Sequence, residues 1–397
     1  MFERPTEIPG GDLLSVNGLR GAGVASGLKE SGDLDLALVV GSEPWTAAGV
    51  FTRSRLPAAP VTLCRERLAE QPQARAVVIN SGNANALTGA RGDADARRMA
   101  RRTEELCGGP VLVLSTGVIG VPLPLDAVVR GIGEAAARLR GDAGDEVARA
   151  MLTTDTRTKT CAVRVAVGER VVTVGGVAKG SGMIHPDMAT MLALIAVDLP
   201  VSPSALDALL RRAVDRSFHE ITVDGDTSTN DSVLLLAGGE GEPVSEVPGP
   251  VAGAVEQVAA RLARMIVEDG EGASRVMELS VTGGATDAHA RLVARAVATS
   301  SLVKTALAGG DPNWGRILAA AATVDHPLEV ARITLTLGGV KVFAGRPLEV
   351  DQGAVDRSFS APSVEVALDL GQGTGRARML SSDLTRRYVE INADYRT

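Results

Sequence analysis

The sequence predicts a mixed α/β protein with a larger N-terminal part and a smaller C-terminal lobe. Short apolar runs rich in Val, Leu and Ile recur along the chain, and such runs are typical of strands that are buried on both faces. Between several of these runs the apolar residues follow the spacing of an amphipathic helix. A stretch rich in Gly and Pro, residues 238–253, indicates a surface connection or a junction between lobes.

The predicted strands follow the apolar runs. In chain order they are Leu36–Val40, Ala76–Ile79, Val111–Leu114, Ala162–Val167, Val171–Val174, Val276–Val281, Ile333–Leu337, Val340–Phe343 and Val364–Leu370. A further strand is predicted at Tyr388–Ile391. The pattern turns strand-rich again beyond Arg275, so we divide the chain into residues 1–275 and 276–397.

Two helices are predicted from stripes of apolar residues. The first begins at Ser202-Pro203, because proline is favoured in the first turn of a helix, and its stripe comprises Leu206, Leu209, Leu210, Ala213 and Val214. The second stripe comprises Val255, Val258, Leu262, Met265 and Ile266.

The charge balance excludes some classes of function. Lys and Arg number 41 against 48 Asp and Glu, a formal net charge of −7, which argues against a surface that holds nucleic acid. The first residues carry acids and prolines where a signal peptide needs an apolar stretch. The longest apolar run, residues 188–197 if Thr190 is allowed, is far shorter than the roughly 20 residues of a membrane span. We therefore expect a cytoplasmic protein with neither a nucleic acid nor a membrane as partner.

The three cysteines are Cys64, Cys107 and Cys161, and they form no CxxC pair. This odd number and wide spacing argue against a disulfide framework and against a zinc site. We predict that they pack as small apolar side chains, and we expect neither a metal nor a cofactor.

The segment with the clearest chemical signal surrounds Thr190. It runs KGSGMIHPDMATMLALIAV from Lys179 to Val197. A Gly/Ser turn and a turn at Pro186 lead to Ala189-Thr190, and an apolar strand follows from Met191. This order places an exposed peptide bond before a hydroxyl on a rigid element, as an N-terminal nucleophile needs.

Cleavage between Ala189 and Thr190 would give Thr190 a free α-amine. Such an amine has a pKa of about 8, so much of it is a free base at neutral pH and can take the proton of the hydroxyl. No His or Asp is then required. A Thr that merely starts a strand has the same local pattern, and on spacing alone that is the commoner explanation.

The segment resembles the cleavage region of the ornithine acetyltransferase (glutamate N-acetyltransferase) family, whose pattern is approximately KGSGMIHPNMATML. The chain differs from that pattern only at Asp187. Other blocks match in the family's order across the whole chain: NSGNANA at 80–86, STGVIG at 115–120, TTDT at 153–156, ITVDGDTSTND at 221–231, DGEGAS at 269–274, DPNWGRI at 311–317 and INADYRT at 391–397. The resemblance implies an N-terminal-nucleophile-like sandwich of sheets and helices, with the nucleophile in residues 1–275 and a C-terminal lobe, residues 276–397, whose tail reaches the site.

The resemblance also implies the reaction. An enzyme of this kind moves the acetyl group from N2-acetyl-L-ornithine to L-glutamate in arginine biosynthesis, through an acetyl-Thr190 intermediate and after autocatalytic cleavage between Ala189 and Thr190. Members of the family differ in whether acetyl-CoA also serves as donor, and no residue here decides between them. Two processed two-chain units are expected to pair as a heterotetramer.

The same resemblance assigns roles to single residues. Thr116 and Gly117, at the turn after the strand Val111–Leu114, supply donors to the oxyanion. Substrate contacts fall at Thr153, Lys179, Thr190, Glu271, Asn392 and Thr397. Lys179 is available for the α-carboxylate and Glu271 for the ornithine ammonium. The alternative is that Lys179 and Glu271 are solvated and that the C-terminus is frayed.

The chain departs from the family pattern at a few positions. Ser381-Ser382 replaces Gly-Cys, Arg386-Arg387 replaces Glu-Gly, Leu87 replaces a Cys, and Ala308 stands at an aromatic-type position. These changes leave the expected chemistry intact and bear on substrate preference.

Two other functions compete with the acetyltransferase. Asp224-Gly-Asp226-Thr-Ser is similar to the nucleophile motif of haloacid-dehalogenase-type phosphatases, in which Asp224 would attack phosphorus with Mg²⁺ bound to both carboxylates. That motif normally opens a chain, and here an Asx turn explains the cluster as well. The other alternative is a non-catalytic relative that kept the fold. Trp314 would pack at a corner in either case.

Overall fold

The computed structural model describes residues 5–185 and 191–394. Within these ranges the chain forms two compact units: the first comprises residues 5–219 and 226–266, and the second comprises 220–225 and 267–394. The chain enters the second unit at residue 267, before the predicted division after residue 275. Residues 220–225 belong to that unit because the strand Ile221–Thr222 pairs with its strand Gly375–Ser382.

Strands and helices are numbered in chain order. The strands are β1 Thr6–Glu7, β2 Leu19–Val24, β3 Leu36–Phe51, β4 Gln73–Asn80, β5 Val111–Ser115, β6 Lys159–Val167, β7 Arg170–Lys179, β8 Leu192–Val197, β9 Ile221–Thr222, β10 Ser232–Ala237, β11 Val276–Gly284, β12 Thr334–Leu337, β13 Val340–Ala344, β14 Ser363–Asp369 and β15 Gly375–Ser382. The helices are α1 Ala59–Glu70, α2 Gly89–Cys107, α3 Leu125–Ala137, α4 Gly144–Met151, α5 Pro203–Asp215, α6 Gly249–Glu268, α7 Asp287–Ala298, α8 Ser301–Gly309, α9 Trp314–Ala321, α10 Gln352–Phe359 and α11 Arg386–Asp394.

The first unit is built on one sheet in the order β1-β6-β7-β8-β10-β3-β4-β5, with β2 also paired to β3. The long strand β3 joins two halves of this sheet. Its first part pairs with β2 and β4, its register against β4 shifts between Val40 and Trp45, and its last part pairs with β10. Strand β8 lies between β7 and β10, and all of its residues are buried.

The two halves of the sheet share one inner core. Ile79 and Leu114 from one half and Leu194 and Leu234 from the other belong to the same buried cluster. Helices α2 and α3 cover the outer face of the first half, and α6 packs on the outer face of the second, where its side chains surround Gly176. The predicted sandwich of sheets and helices is therefore confirmed.

The second unit has a separate sheet in the order β13-β12-β14-β11-β15-β9. Strand β11 is parallel to β14 and antiparallel to β15. Helices α7, α8, α9 and α10 bury apolar side chains against this sheet in a second core. Trp314 packs at the edge of that core with its ring 5.5 Å from the ring of Phe343, as predicted.

The predicted strands correspond to observed ones up to β14, and the two predicted helices are α5 and α6. The strand predicted at Tyr388–Ile391 is wrong, because these residues lie inside α11. Four residues do not separate a strand from a helix, and β15 already has β11 and β9 as neighbours. The Gly/Pro-rich connection is also shorter than predicted, since α6 begins at Gly249.

Two of the cysteines pack as predicted. Cys64 and Cys161 are buried and unoxidised, whereas Cys107 is half-buried. Burial raises the pKa of the Cys64 and Cys161 thiols to about 12, so neither is a thiolate at neutral pH. Across the described residues, no helix is both long enough and apolar enough to cross a membrane.

Candidate active site

The turn that follows β5 holds Thr116 and Gly117. Thr116 is 2% exposed, and its N–H donates to the Asn80 carbonyl oxygen at 3.0 Å. Gly117 has φ +129°, and a Cβ at this position would lie 2.4 Å from the carbonyl carbon of Gly82. Only glycine fits there. The sequence thus places a hydroxyl and a backbone N–H together at a turn that no larger residue can replace.

Asparagine side chains of the NSGNANA block support this turn. Asn80 accepts the Ser115 hydroxyl at 2.6 Å and donates to the Asn83 carbonyl oxygen at 2.8 Å. Asn83 donates in turn to the Val121 carbonyl oxygen at 3.1 Å. These bonds satisfy backbone carbonyls in the segments around the turn, and they hold the segment that carries Thr116.

Lys179 ends β7 and lies next to this turn. Its side chain is 2% exposed. The ammonium donates to the Thr153 hydroxyl at 2.6 Å and to the Thr116 hydroxyl at 3.4 Å. The structure therefore brings Thr116, Thr153 and Lys179 together, and the alternative of a solvated lysine is wrong.

Asp155 and Lys159 complete the cluster, and sequence reasoning missed both of them. The Asp155 carboxylate accepts the Lys159 ammonium and the Gly180 N–H, each at 2.7 Å, and lies 3.7 Å from the Lys179 ammonium. Its side chain is fully buried. Asp155 lies inside the TTDT block, four residues before Lys159. Its place in a block that matches the family was the signal that could have identified it.

The ionisation of Asp155 depends on these partners. Burial acts to raise the pKa of this carboxyl, but the charges of Lys179 and Lys159 and the hydrogen bonds from Lys159 and Gly180 outweigh it. The pKa of Asp155 therefore lies well below its usual range. The Lys179 ammonium, beside the turn that holds Thr116, is the kind of cation that binds an anionic group of a substrate.

Ala189 and Thr190 lie outside the described residues. The first described residue after them is Met191, whose N–H donates to the Asp231 carboxylate at 2.9 Å. Asp231 is completely buried. Burial raises the pKa of this carboxyl well above its usual range, although the Met191 N–H and the charge of Lys179 oppose the shift. Sequence reasoning matched the block that ends at Asp231 but gave this residue no role.

The second unit brings Glu271 and Asn392 together. Asn392, on α11, donates to the Glu271 carboxylate at 2.7 Å, and Glu271 is 6% exposed. The next residue in the chain is also bonded, because the Thr385 hydroxyl donates to the Gly272 carbonyl oxygen at 2.7 Å. Glu271 is thus buried rather than solvated, contrary to the alternative expectation. Thr397 lies outside the described residues.

Comparisons with known proteins decide the family. The sequence model of the ArgJ family matches residues 20–397. The chain belongs to the ArgJ family. Within it, the arginine biosynthesis bifunctional protein ArgJ of Gloeobacter violaceus is 45% identical over 399 residues, covering 98% of each chain. The protein of the same name from Symbiobacterium thermophilum is 46% identical over 398 residues, covering 98% of this chain and 99% of its own.

Solved structures of the ArgJ family match about half of the chain. The ornithine acetyltransferase of Mycobacterium tuberculosis, crystallised with ornithine, is 40% identical and covers 46% of this chain and 98% of its own, with a TM-score of 0.43. ArgJ of Bacillus halodurans is 38% identical and covers 47% of this chain and 98% of its own, with a TM-score of 0.44.

Family membership leaves the phosphatase interpretation without support. The DGDTS sequence lies within a block that the ArgJ family resemblance already accounts for. In the second unit the Asp224 carboxylate accepts the Tyr388 hydroxyl at 3.4 Å, which gives this acid a structural partner.

Proposed function

We propose that this member of the ArgJ family transfers the acetyl group of N2-acetyl-L-ornithine to L-glutamate through an acetyl-Thr190 intermediate. The chain first cleaves itself between Ala189 and Thr190. The observation that carries the proposal is the buried cluster in which the Lys179 ammonium meets the hydroxyls of Thr153 and Thr116. Acyl transfer to an amino acid requires a nucleophile, donors for the oxyanion and a cation for the carboxylate of the amino acid.

Cleavage supplies the base for the reaction. The Thr190 hydroxyl attacks the carbonyl carbon of Ala189, the bond to the Thr190 nitrogen breaks, and water then hydrolyses the resulting ester. The new α-amine, with a pKa of about 8, takes the proton of the Thr190 hydroxyl in each later attack.

Acetyl transfer then proceeds in two halves. The Thr190 oxygen attacks the acetyl carbonyl of acetylornithine, and the Thr116 hydroxyl and the Gly117 N–H stabilise the oxyanion. The tetrahedral centre collapses as the C–N bond breaks, and the proton held by the α-amine passes to the leaving nitrogen of ornithine. The amine of glutamate then attacks the acetyl ester in the same way and frees Thr190.

Charge complementarity supports the choice of substrates. Acetylornithine and glutamate share an α-carboxylate, for which the Lys179 ammonium beside Thr153 and Thr116 is suited. Glu271, held by Asn392, is suited to the ornithine ammonium, and we assign the unplaced Thr397 to the same contact set. Within this proposal residues 1–275 carry the nucleophile and residues 276–397 supply the tail.

Intact mass measurement tests the proposal. The wild-type protein should yield fragments 1–189 and 190–397, and Thr190→Ala should yield the full-length chain alone. Acetylornithine added without glutamate should leave one acetyl group on fragment 190–397, and later addition of glutamate should remove it. A single uncut chain with normal activity, or an acetyl group on fragment 1–189, would contradict the mechanism. A single uncut chain without activity would favour the non-catalytic relative.

Two finer points belong to the same proposal. Acetyl-CoA in place of acetylornithine in the labelling experiment shows directly whether it also charges Thr190. We also propose that two processed units pair. Light scattering checks this pairing, and a mass that matches one processed unit would reject it.

A further inference from the structure

Two adjacent residues before β10, Asn230 and Asp231, form hydrogen bonds to two different parts of the first unit, one at the end of β5 and one at the start of β8. Asn230 is 4% exposed and Asp231 is completely buried. The Asn230 amide nitrogen donates to the carbonyl oxygens of Ser115 at 2.8 Å and Ala84 at 2.7 Å. The Asp231 carboxylate accepts the Met191 N–H at 2.9 Å.

Two of these three bonds end on a peptide unit that adjoins a residue of the mechanism. The Ser115 carbonyl belongs to the peptide unit that leads into Thr116. The Met191 N–H belongs to the peptide unit that leads out of Thr190. Strand β10 is parallel to β8, with Ser232 paired to Leu192, so Asn230 and Asp231 link the strand end that carries Thr116 to the strand start that follows Thr190.

Burying the Asp231 side chain costs free energy, which a residue that served only for packing would not require. One of its oxygens is buried and makes no hydrogen bond among the described residues, and burying such a polar atom costs free energy. The other oxygen accepts the Met191 N–H. A position that had only to fill space would favour an apolar side chain.

We propose that Asn230 and Asp231 are positioning residues that hold the end of β5, which leads into Thr116, against the start of β8, which follows Thr190 in the chain. The inference rests on the proposed function, in which Thr190 attacks and Thr116 binds the oxyanion. An error of about 1 Å in the placement of a reacting group can cost about 10²-fold in rate. Neither side chain needs to touch the substrate for this role.

The chain offers a matched control at the other end of β8, the strand that begins directly after Met191. Asp198 follows β8 directly, is 4% exposed, and accepts the Thr173 N–H at 2.6 Å and the Asn17 side-chain amide at 3.0 Å. Asp198→Ala and Asp231→Ala therefore both remove a buried acceptor from a backbone N–H. Both should lower the melting temperature of the full-length protein.

The activity of the two variants should differ. On the processed fraction, Asp231→Ala should lower kcat by about 10²-fold with KM for acetylornithine unchanged, and its self-cleavage should slow. Asp198→Ala should keep the wild-type kcat and cleavage rate. Asn230→Ala should also lower kcat without raising KM.

A conservative variant separates hydrogen-bond acceptance from charge. Asp231→Asn keeps an oxygen that accepts the Met191 N–H, so it should retain most of the wild-type kcat and cleavage rate. An Asn variant as inactive as the Ala variant would overturn the proposal, as would wild-type kcat in Asp231→Ala. Equal losses of kcat in Asp231→Ala and Asp198→Ala would show a general loss of stability instead.

The cleavage rate keeps this test independent of the substrate assignment. A wild-type protein that cleaves but transfers no acetyl group would refute the proposed acetyl transfer. The cleavage rates of Asp231→Ala and Asp198→Ala would still decide the positioning role, because the Thr190 hydroxyl is the attacking group in cleavage as well.

Discussion

The Lys179 ammonium lies 2.6 Å from the Thr153 hydroxyl and 3.4 Å from the Thr116 hydroxyl, with its side chain 2% exposed. One buried cation thus connects a residue assigned to the substrate with a residue assigned to the oxyanion. The same ammonium lies 3.7 Å from the Asp155 carboxylate, which also accepts the Lys159 ammonium.

Lys179→Met removes the charge and keeps most of the side-chain volume. We expect KM for acetylornithine to rise about 10- to 100-fold, because a hydrogen bond to a charged group contributes roughly 1.5–3 kcal/mol. Steady-state kinetics on processed protein measure this change. Lys341→Met, at an exposed lysine of β13, should leave KM unchanged. An unchanged KM in Lys179→Met with only a lower melting temperature would reduce Lys179 to a structural cation.

Thr116→Ala removes one proposed donor to the oxyanion. The loss of such a donor typically costs about 10²–10³ in kcat, and KM should change little because the bond forms mainly in the transition state. Thr103→Ala is the matched control, since Thr103 is also buried and its hydroxyl donates to the Met99 carbonyl oxygen within α2. A Thr116→Ala variant whose only defect is a raised KM would move Thr116 from catalysis to substrate binding.

Gly117→Ala tests the backbone of the same turn. A Cβ there would lie 2.4 Å from Gly82, at φ +129°, so the turn has to shift and the Gly117 N–H moves with it. We expect kcat to fall by at least about 10²-fold. Gly120→Ala controls for backbone strain, because Gly120 also has a positive φ, +80°, but open space around its Cβ position. Equal kcat values in the two variants would contradict the close packing at Gly117.

Asp155→Asn tests the electrostatics of the buried cluster. The variant leaves two buried lysines without their carboxylate, so the free energy of unfolding at neutral pH should fall by about 3–5 kcal/mol. The pKa of Asp155 is lowered in the folded protein, so its contribution is complete above its unfolded pKa of about 3.9. That contribution is lost as the pH falls from there through the folded pKa, by roughly 1.4 kcal/mol per pH unit.

Urea unfolding at pH 7 and at pH 3 measures this dependence. The difference in the free energy of unfolding between the wild type and Asp155→Asn should be smaller at pH 3 than at pH 7. Asp325→Asn, at an exposed carboxylate, should match the wild type at both values. A difference that stays constant with pH would show that Asp155 is not ionised in the folded protein.

The sequence by itself determined the elements and the local chemistry. The apolar runs predicted β5 and β8, and the Ser115-Thr116-Gly117 turn was recognisable because a strand end and a glycine turn are properties of neighbouring residues. Matching blocks along the chain also predicted the family, which the comparisons confirmed. These inferences depend on residues that are close together in the sequence.

The tertiary structure alone decided which distant residues meet. Lys179 reaches Thr116 across 63 positions, and Asp231 reaches the Met191 N–H across 40. The pairing of β8 with β10 brings Asp231 to Met191. Lys179 ends β7 and Thr116 follows β5, strands that lie far apart in the strand order, so no local pattern encodes either contact. The same reason explains why Asp155 and Asp231 were missed and why Tyr388 was predicted in a strand. A carboxyl in a loop and a short run such as Tyr388–Ile391 acquire a role only from what packs against them, and that depends on the whole fold.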